Sequence, residues 1–277
     1  MSKISLKNLE SETKESKKSN KIKTIVSNQD DNDNTKKFKR MLNLYTSNLT
    51  RFTKDIVPEF EVRFGTKKIK SISVIDFYNV IKSIVNNNFK LVSEKYYLKI
   101  ISDDEYSNIR TEISGFPNIQ NYCKFNNIAN MEDKNNLKFV EKSYFVNENT
   151  TIYPLDFDDF NFRLSFQTEK YYNKFDPKIE NIMNKWQTTK KIYRYLKRYE
   201  YKHPELPFII HCSIVKTSKT NKGKFVPTFT LDDADIFNSL EHYEIEIEID
   251  NILIDSFKYS DTNLIYQDLR KVIKYIL

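Results

Sequence analysis

Two short runs carry carboxylates at alternate positions. PEFEVRFG places Glu59, Glu61 and Arg63 two residues apart, and HYEIEIEID does the same with Glu244, Glu246 and Glu248, with Asp250 continuing the row. Successive side chains on a β-strand point to opposite faces, so each set shares one face. Phe60, Val62 and Phe64, or Tyr243, Ile245, Ile247 and Ile249, are left on the other. Same-face neighbours stand about 6.6 to 6.8 Å apart, and at an effective dielectric of about 20 adjacent carboxylates repel by roughly 2 to 3 kcal/mol. Water screens that repulsion if the row faces solvent, whereas a row facing inward needs cations. An amphipathic strand with a solvated acidic face accounts for either run alone.

Other alternating segments supply the cations. FNFRLSFQTE sets Arg163, Ser165, Gln167 and Glu169 opposite Phe162, Leu164 and Phe166, and SNIRTEIS sets Arg110 and Glu112 opposite Ile109 and Ile113. LKFVEKSYF carries Lys138 and Lys142 on one face, and YRYLKRYEY sets Arg194, Arg198 and Glu200 opposite four tyrosines. The chain has 8 Arg against 37 Lys, yet Arg63, Arg110, Arg163, Arg194 and Arg198 all fall on polar strand faces. Where lysine is the default cation, arginine in strands points to guanidinium geometry, which grips phosphate or carboxylate through two parallel bonds. Ion pairing between strands is the plain alternative. A barrel lined by arginines and carboxylates and apolar outside is suited to a metal-bound polyphosphate, and hard oxygen ligands suit Mg2+ or Mn2+.

The elements that must position these residues follow from periodicity. Apolar spacing predicts amphipathic helices over 38–52, 73–87 and 262–277. Between them at least seven segments alternate with period two, separated by loops rich in Asn, Asp and Lys, and no βαβ rhythm is sustained. The stretch from Thr217 to Asp235 reads as a long loop with a short strand near Phe225–Leu231. The expected class is α+β, an antiparallel sheet or closed barrel with a few packing helices. Only three glycines occur in 277 residues, which excludes a Walker A loop, a dinucleotide fingerprint, a kinase glycine loop and a nucleophile elbow.

Charge and composition set the context. The net charge is +7, which suits a polyanionic partner. Residues 1–37 hold nine Lys against six acids in a polar stretch, expected to be a disordered basic tail ahead of one domain over 38–277. Two cysteines, Cys123 and Cys212, fit free thiols in a reducing compartment. No apolar run approaches a membrane span, and the start lacks the core of a signal peptide. A soluble, intracellular protein without a membrane partner is the expectation.

E-x-E-x-R at Glu59, Glu61 and Arg63, E-x-E-x-E at Glu244, Glu246 and Glu248, and R-x-S-x-Q-x-E at Arg163 to Glu169 together resemble the signature of the triphosphate tunnel metalloenzymes. Within that group the chain looks most like the RNA triphosphatase domain of mRNA capping enzymes of large DNA viruses, over about residues 38–277. The resemblance implies an eight-stranded antiparallel β tunnel with a charged interior that removes the γ-phosphate from 5′-triphosphate RNA, and from NTP with Mn2+. It implies Glu59, Glu61 and Glu248 as ligands of Mg2+ or Mn2+, Glu246 holding a metal-bound water, and Glu244 completing the acidic strand. Arg110, Lys142 and Arg198 would bind phosphates, Arg163 would join them on the wall, and Glu169 would orient or deprotonate the attacking water. Were the chain viral, it would work in the host cytoplasm or the virion.

Three positions depart from the family pattern. Leu196 stands where a Lys is usual, with Arg194 on the same face as its substitute, and Ile209 and His211 replace an Arg-x-Asp pair. Related enzymes continue into a guanylyltransferase with a K-x-D-G motif, which this chain lacks. It is therefore a stand-alone phosphatase or part of a longer polypeptide, with a guanylyltransferase as further domain or partner. Two other readings compete. One is a tunnel triphosphatase acting on inorganic polyphosphate, thiamine triphosphate or nucleotide. The other is a nucleic-acid-binding module in which Tyr193, Tyr195, Tyr199 and Tyr201 stack bases.

Overall fold

In a computed structural model the described residues are 33–65, 72–129, 131, 136–251 and 261–276. The chain divides into two units, 1–38 and 39–277. Of the first, residues 33–38 are described and are helical, with Lys37 paired to Asp33 one turn away. Helix α1 (Asp33–Asn48) thus opens five residues ahead of the boundary expected at Phe38. The rest of the expected tail, 1–32, lies outside the described residues.

In the second unit eight long antiparallel strands close on themselves. They are β1 (Ile56–Phe64), β2 (Lys90–Ser102), β3 (Ile109–Ser114), β4 (Leu137–Tyr144), β5 (Phe162–Tyr172), β6 (Lys191–Lys202), β7 (Phe208–Thr217) and β8 (His242–Ile249). Around the barrel the order is β1-β8-β7-β6-β2-β3-β4-β5, and β5 pairs back onto β1. This is the eight-stranded tunnel that the resemblance implied. Closure removes the exposed edges that an open sheet must protect. One stretch is left over: β2 pairs with β6 along its length but with β3 only over 97–101, so its first leg stands beyond the end of β3.

The core lies outside the barrel. Phe60, Val62, Phe166 and Ile247 are buried on outward faces, and the Tyr45 ring of α1 packs on Phe60 and Phe166. On the far side Leu98, Ile100, Ile113 and Tyr193 join Tyr122 and Trp186 beneath α3 (Phe116–Phe125) and α4 (Pro177–Asn184). Of the four tyrosines in the base-stacking reading of β6, Tyr193 and Tyr201 are buried outward and fill the core, while Tyr195 and Tyr199 are half-buried. Helices α2 (Val74–Asn86) and α6 (Thr262–Ile276) occur where the periodicity placed them. The Ser73 hydroxyl caps α2 by accepting from the Asp76 N–H. Residues 217–235 fold as a two-residue hairpin, 220–221 with 224–225, followed by α5 (Leu231–Ala234), in place of the expected strand. The described cysteines are free thiols, and no described helix is long and apolar enough to cross a membrane.

Lys191, at the head of β6, is fully buried, and its ammonium donates to the carbonyls of Trp186 (2.6 Å) and Thr189 (2.7 Å). Burial pushes its pKa down to about 8. From there to the ordinary lysine value the unfolded chain binds more protons than the folded one, so stability rises with pH across that window. Urea unfolding is expected to show wild type gaining on Lys191→Met by roughly 2 to 3 kcal/mol between about pH 8 and pH 10. A difference that stays constant with pH would rule this group out as the source.

Candidate active site

The register of β1 decides what faces the tunnel. Glu61 lies opposite Glu248 of β8 and Ser165 of β5, and Arg63 opposite Glu246 and Arg163. Outward Phe60 and Val62 pin that register, because a one-residue slip would bury Glu61 in the outer core and turn phenylalanine into the tunnel. The tunnel cavity has a volume of about 1040 Å³. Nine of the ten residues expected to act line it: Glu59, Glu61, Arg110, Lys142, Arg163, Glu169, Arg198, Glu246 and Glu248. Glu244 lies outside that lining, paired with Arg194 and 3.8 Å from Arg63.

Carboxylate oxygens of Glu59, Glu61 and Glu248 all lie within 4.8 Å of one another. Burial raises the pKa of Glu59 against the pull of Lys142, and Glu248, Glu61 and Glu169 add to the rise. Burial and the Glu246 charge likewise raise Glu61. The Lys142 ammonium bridges the pair, against Glu59 and 3.2 Å from Glu61 Oε2. Glu59 Oε2 is buried without a hydrogen-bond donor in good geometry. Three converging hard oxygen donors, two of them driven toward the neutral acid, fit a divalent cation of the Mg2+ or Mn2+ type.

Glu246 is in a different state. Arg63 Nε donates to its Oε1 at 2.8 Å and Arg198 Nη2 to its Oε2 at 2.9 Å. Although burial opposes charge, these guanidiniums hold the carboxyl well below the usual range. Glu248 is also held low despite its burial, by His211 and Arg198. His211 Nδ1 lies 3.1 Å from Glu248 Oε1 and 3.3 Å from Arg198 Nη1, and Nε2 lies 3.8 Å from Glu200. Arg198 Nε also donates to Ser213. The position that departs from the family pattern is therefore a buried imidazole wedged behind Glu248. Leu196, another departure, is buried on the tunnel wall, and Arg194 beside it is committed to Glu244.

Across the tunnel Glu169 accepts from Arg110 (3.3 Å) and from the Tyr171 hydroxyl (2.9 Å). Arg110 also meets Glu112, which Lys99 reaches at 3.1 Å. Burial disfavours the Glu112 charge, but Lys99 and Arg110 outweigh it and hold the group at about 2. Arg163 forms a two-pronged bond with Asp156 (2.7 and 3.1 Å). Reading the sequence missed Lys99, because β2 was not recognised as a strand. It also missed Tyr171, although the alternation of FNFRLSFQTE continues through it to the tunnel face.

No family model matches the chain, and no curated protein matches it. Among solved structures, the Mimivirus capping enzyme triphosphatase superposes with a TM-score of 0.54 and 16% identity, covering 88% of this chain and 98% of its own. Two structures of S. pombe Pct1 RNA triphosphatase, alone and in complex with the Spt5 CTD, each cover 90% of this chain and 95% of theirs. Their identities are 11% and 13%, with TM-scores of 0.46. The closed antiparallel tunnel of this chain is thus the fold of the Mimivirus capping enzyme triphosphatase.

Proposed function

We propose that the chain hydrolyses the γ-phosphate of 5′-triphosphate RNA in a reaction that requires Mg2+ or Mn2+, and of NTP with Mn2+. The observation that carries this reading is the convergence of Glu59, Glu61 and Glu248 on a wall otherwise rich in cations. The lining holds nine Lys and Arg against seven Glu, a surplus of two that suits a polyanion bringing its own cation. Glu59, Glu61 and Glu248 would hold the metal, which when bound neutralises phosphate oxygens and acidifies water. Phosphoryl transfer needs little covalent help, so the chain's own groups act by position and charge.

Lys142, between Glu59 and Glu61, and Arg198, braced by Glu246 and Ser213, bind oxygens of the transferred phosphoryl group. Arg110, on the strand beside that of Lys142, joins them and keeps Glu169 aimed into the tunnel. Glu169 then accepts the proton of the attacking water, with the Tyr171 hydroxyl fixing its second oxygen. Arg163, clasped by Asp156, steers phosphate near the tunnel end. Glu246 holds Arg63 and Arg198 on its two oxygens, and would accept from a water carried by the metal. The diphosphate end left behind is the substrate a guanylyltransferase domain or partner needs.

The test is phosphate release from triphosphate-ended RNA, ATP and tripolyphosphate, with and without Mn2+. Only the γ-phosphate should leave, and chelation should silence release. Equal turnover in the chelator, or RNA binding without any release, would overturn the reading. A marked preference for tripolyphosphate would move the substrate to inorganic polyphosphate.

A further inference from the structure

Every cation lining the tunnel has a carboxylate within ion-pair distance except Lys138, among the described residues. Its cross-strand neighbour Glu112 is already held by Lys99 and Arg110, and its ammonium lies over the Tyr171 ring, 5.8 Å from the centroid. Lys138 is exposed and sits near the start of β4, at the end of the barrel where β3 finishes. There Gly115, at a φ of +87° that favours glycine, turns the chain out of β3 into α3. The turn carries Phe116 onto the rim, where the residue is 48% exposed and its ring meets Tyr96 edge-on at 5.6 Å. The nearby acid, Glu94, is neutralised by Lys197.

Among the described residues, the other end of the tunnel offers no lining cation without an ion-pair partner. Arg163 and Arg194, near the starts of β5 and β6, are closed by Asp156 and Glu244. Along β4, Lys138 lies four residues from Lys142 on the same face, a separation of about 13 Å. That is longer than the run of three phosphorus centres in a triphosphate, and it reaches the phosphodiester that follows the first nucleotide.

Resting on the hydrolase reading above, we propose that the Phe116–Lys138 mouth is a subsite for the first nucleotide of a 5′-triphosphate RNA. The exposed face of Phe116 stacks the first base, and Lys138 binds the first phosphodiester. The chain of phosphates lies along β4 with its γ end at Lys142. The mouth therefore separates RNA ends from free nucleotides and inorganic polyphosphate, which the interior treats alike.

The experiment compares tripolyphosphate, ATP and a triphosphate-ended oligoribonucleotide in Lys138→Ala, Lys138→Arg and Phe116→Ala full-length protein, with folding checked by circular dichroism. In Lys138→Ala the kcat/KM ratio of RNA to tripolyphosphate should fall several-fold, and the salt dependence of log KM for RNA should drop by about 0.7. Lys138→Arg should restore both. Phe116→Ala should lower RNA and ATP relative to tripolyphosphate by about fivefold, the lower end of the loss of a stacked base. An unchanged RNA ratio and salt slope in Lys138→Ala, or an equal loss on all three substrates, would overturn the subsite. Wild-type protein inert on all three substrates would instead overturn the hydrolase reading.

Discussion

Alanine at Glu61 or Glu248 is expected to lower phosphate release at least about a hundredfold, the scale of losing a group that stabilises charge in the transition state. Both carboxylates sit in the cluster that converges within 4.8 Å. Glu61→Gln is the sharper variant, because it keeps the shape and removes the charge. Burial already drives Glu61 toward the neutral acid, so Gln should leave metal-free stability unchanged or raise it while activity collapses. Mn2+ titration followed by electron paramagnetic resonance should show weakened binding in the same variants. Full activity of Glu248→Ala at saturating Mn2+ would remove the metal-site assignment.

Glu246→Ala is expected to fail for another reason. Its carboxylate compensates two guanidiniums on the tunnel wall, and Arg198 is the more deeply buried of them. Removing one partner from a buried pair leaves an uncompensated charge and costs about 3 to 5 kcal/mol. Urea unfolding should show that loss together with a drop in turnover, whereas Glu61→Gln should lose turnover alone. Arg198→Lys should not restore what Arg198→Ala loses, since an ammonium cannot reach Glu246, Ser213 and a phosphate at once. A Glu246→Ala protein within about 1 kcal/mol of wild type would place that pair among weak surface bridges.

Seven of the eight barrel strands were legible by their alternation, in six of them because the inward face is charged and the outward face apolar, whereas β7 turns only Ile209, His211, Ser213 and Val215 inward. The exception, β2, has mixed polarity on both faces of its exposed leg, and a bulge between Leu91 and Ser93 breaks its period. Losing β2 meant losing Lys99, and with it the reason why Glu112 stays charged. Helices α3 and α4 span only 10 and 8 residues, too short for a helical stripe to stand out. The acidic rows were visible as spacing, but their different charge states were not. Those states depend on which cations other strands deliver: Lys142 beside Glu59, two arginines at Glu246, and His211 behind Glu248.

The closing seam also governs how the molecule is made. β1 pairs on one side with β8, joining Glu61 to Glu248, and on the other with β5, joining it to Ser165. Both partners lie more than a hundred residues downstream, so loop-closure entropy must be met before either contact returns anything. On the ribosome β1 waits for β5 before its apolar outer face joins a sheet, and for β8 before the barrel closes. Such a chain is open to aggregation throughout that interval, and a shortened version lacking β8 loses the β1–β8 side of the seam and Glu248, one of the three clustered carboxylates, in the same stroke.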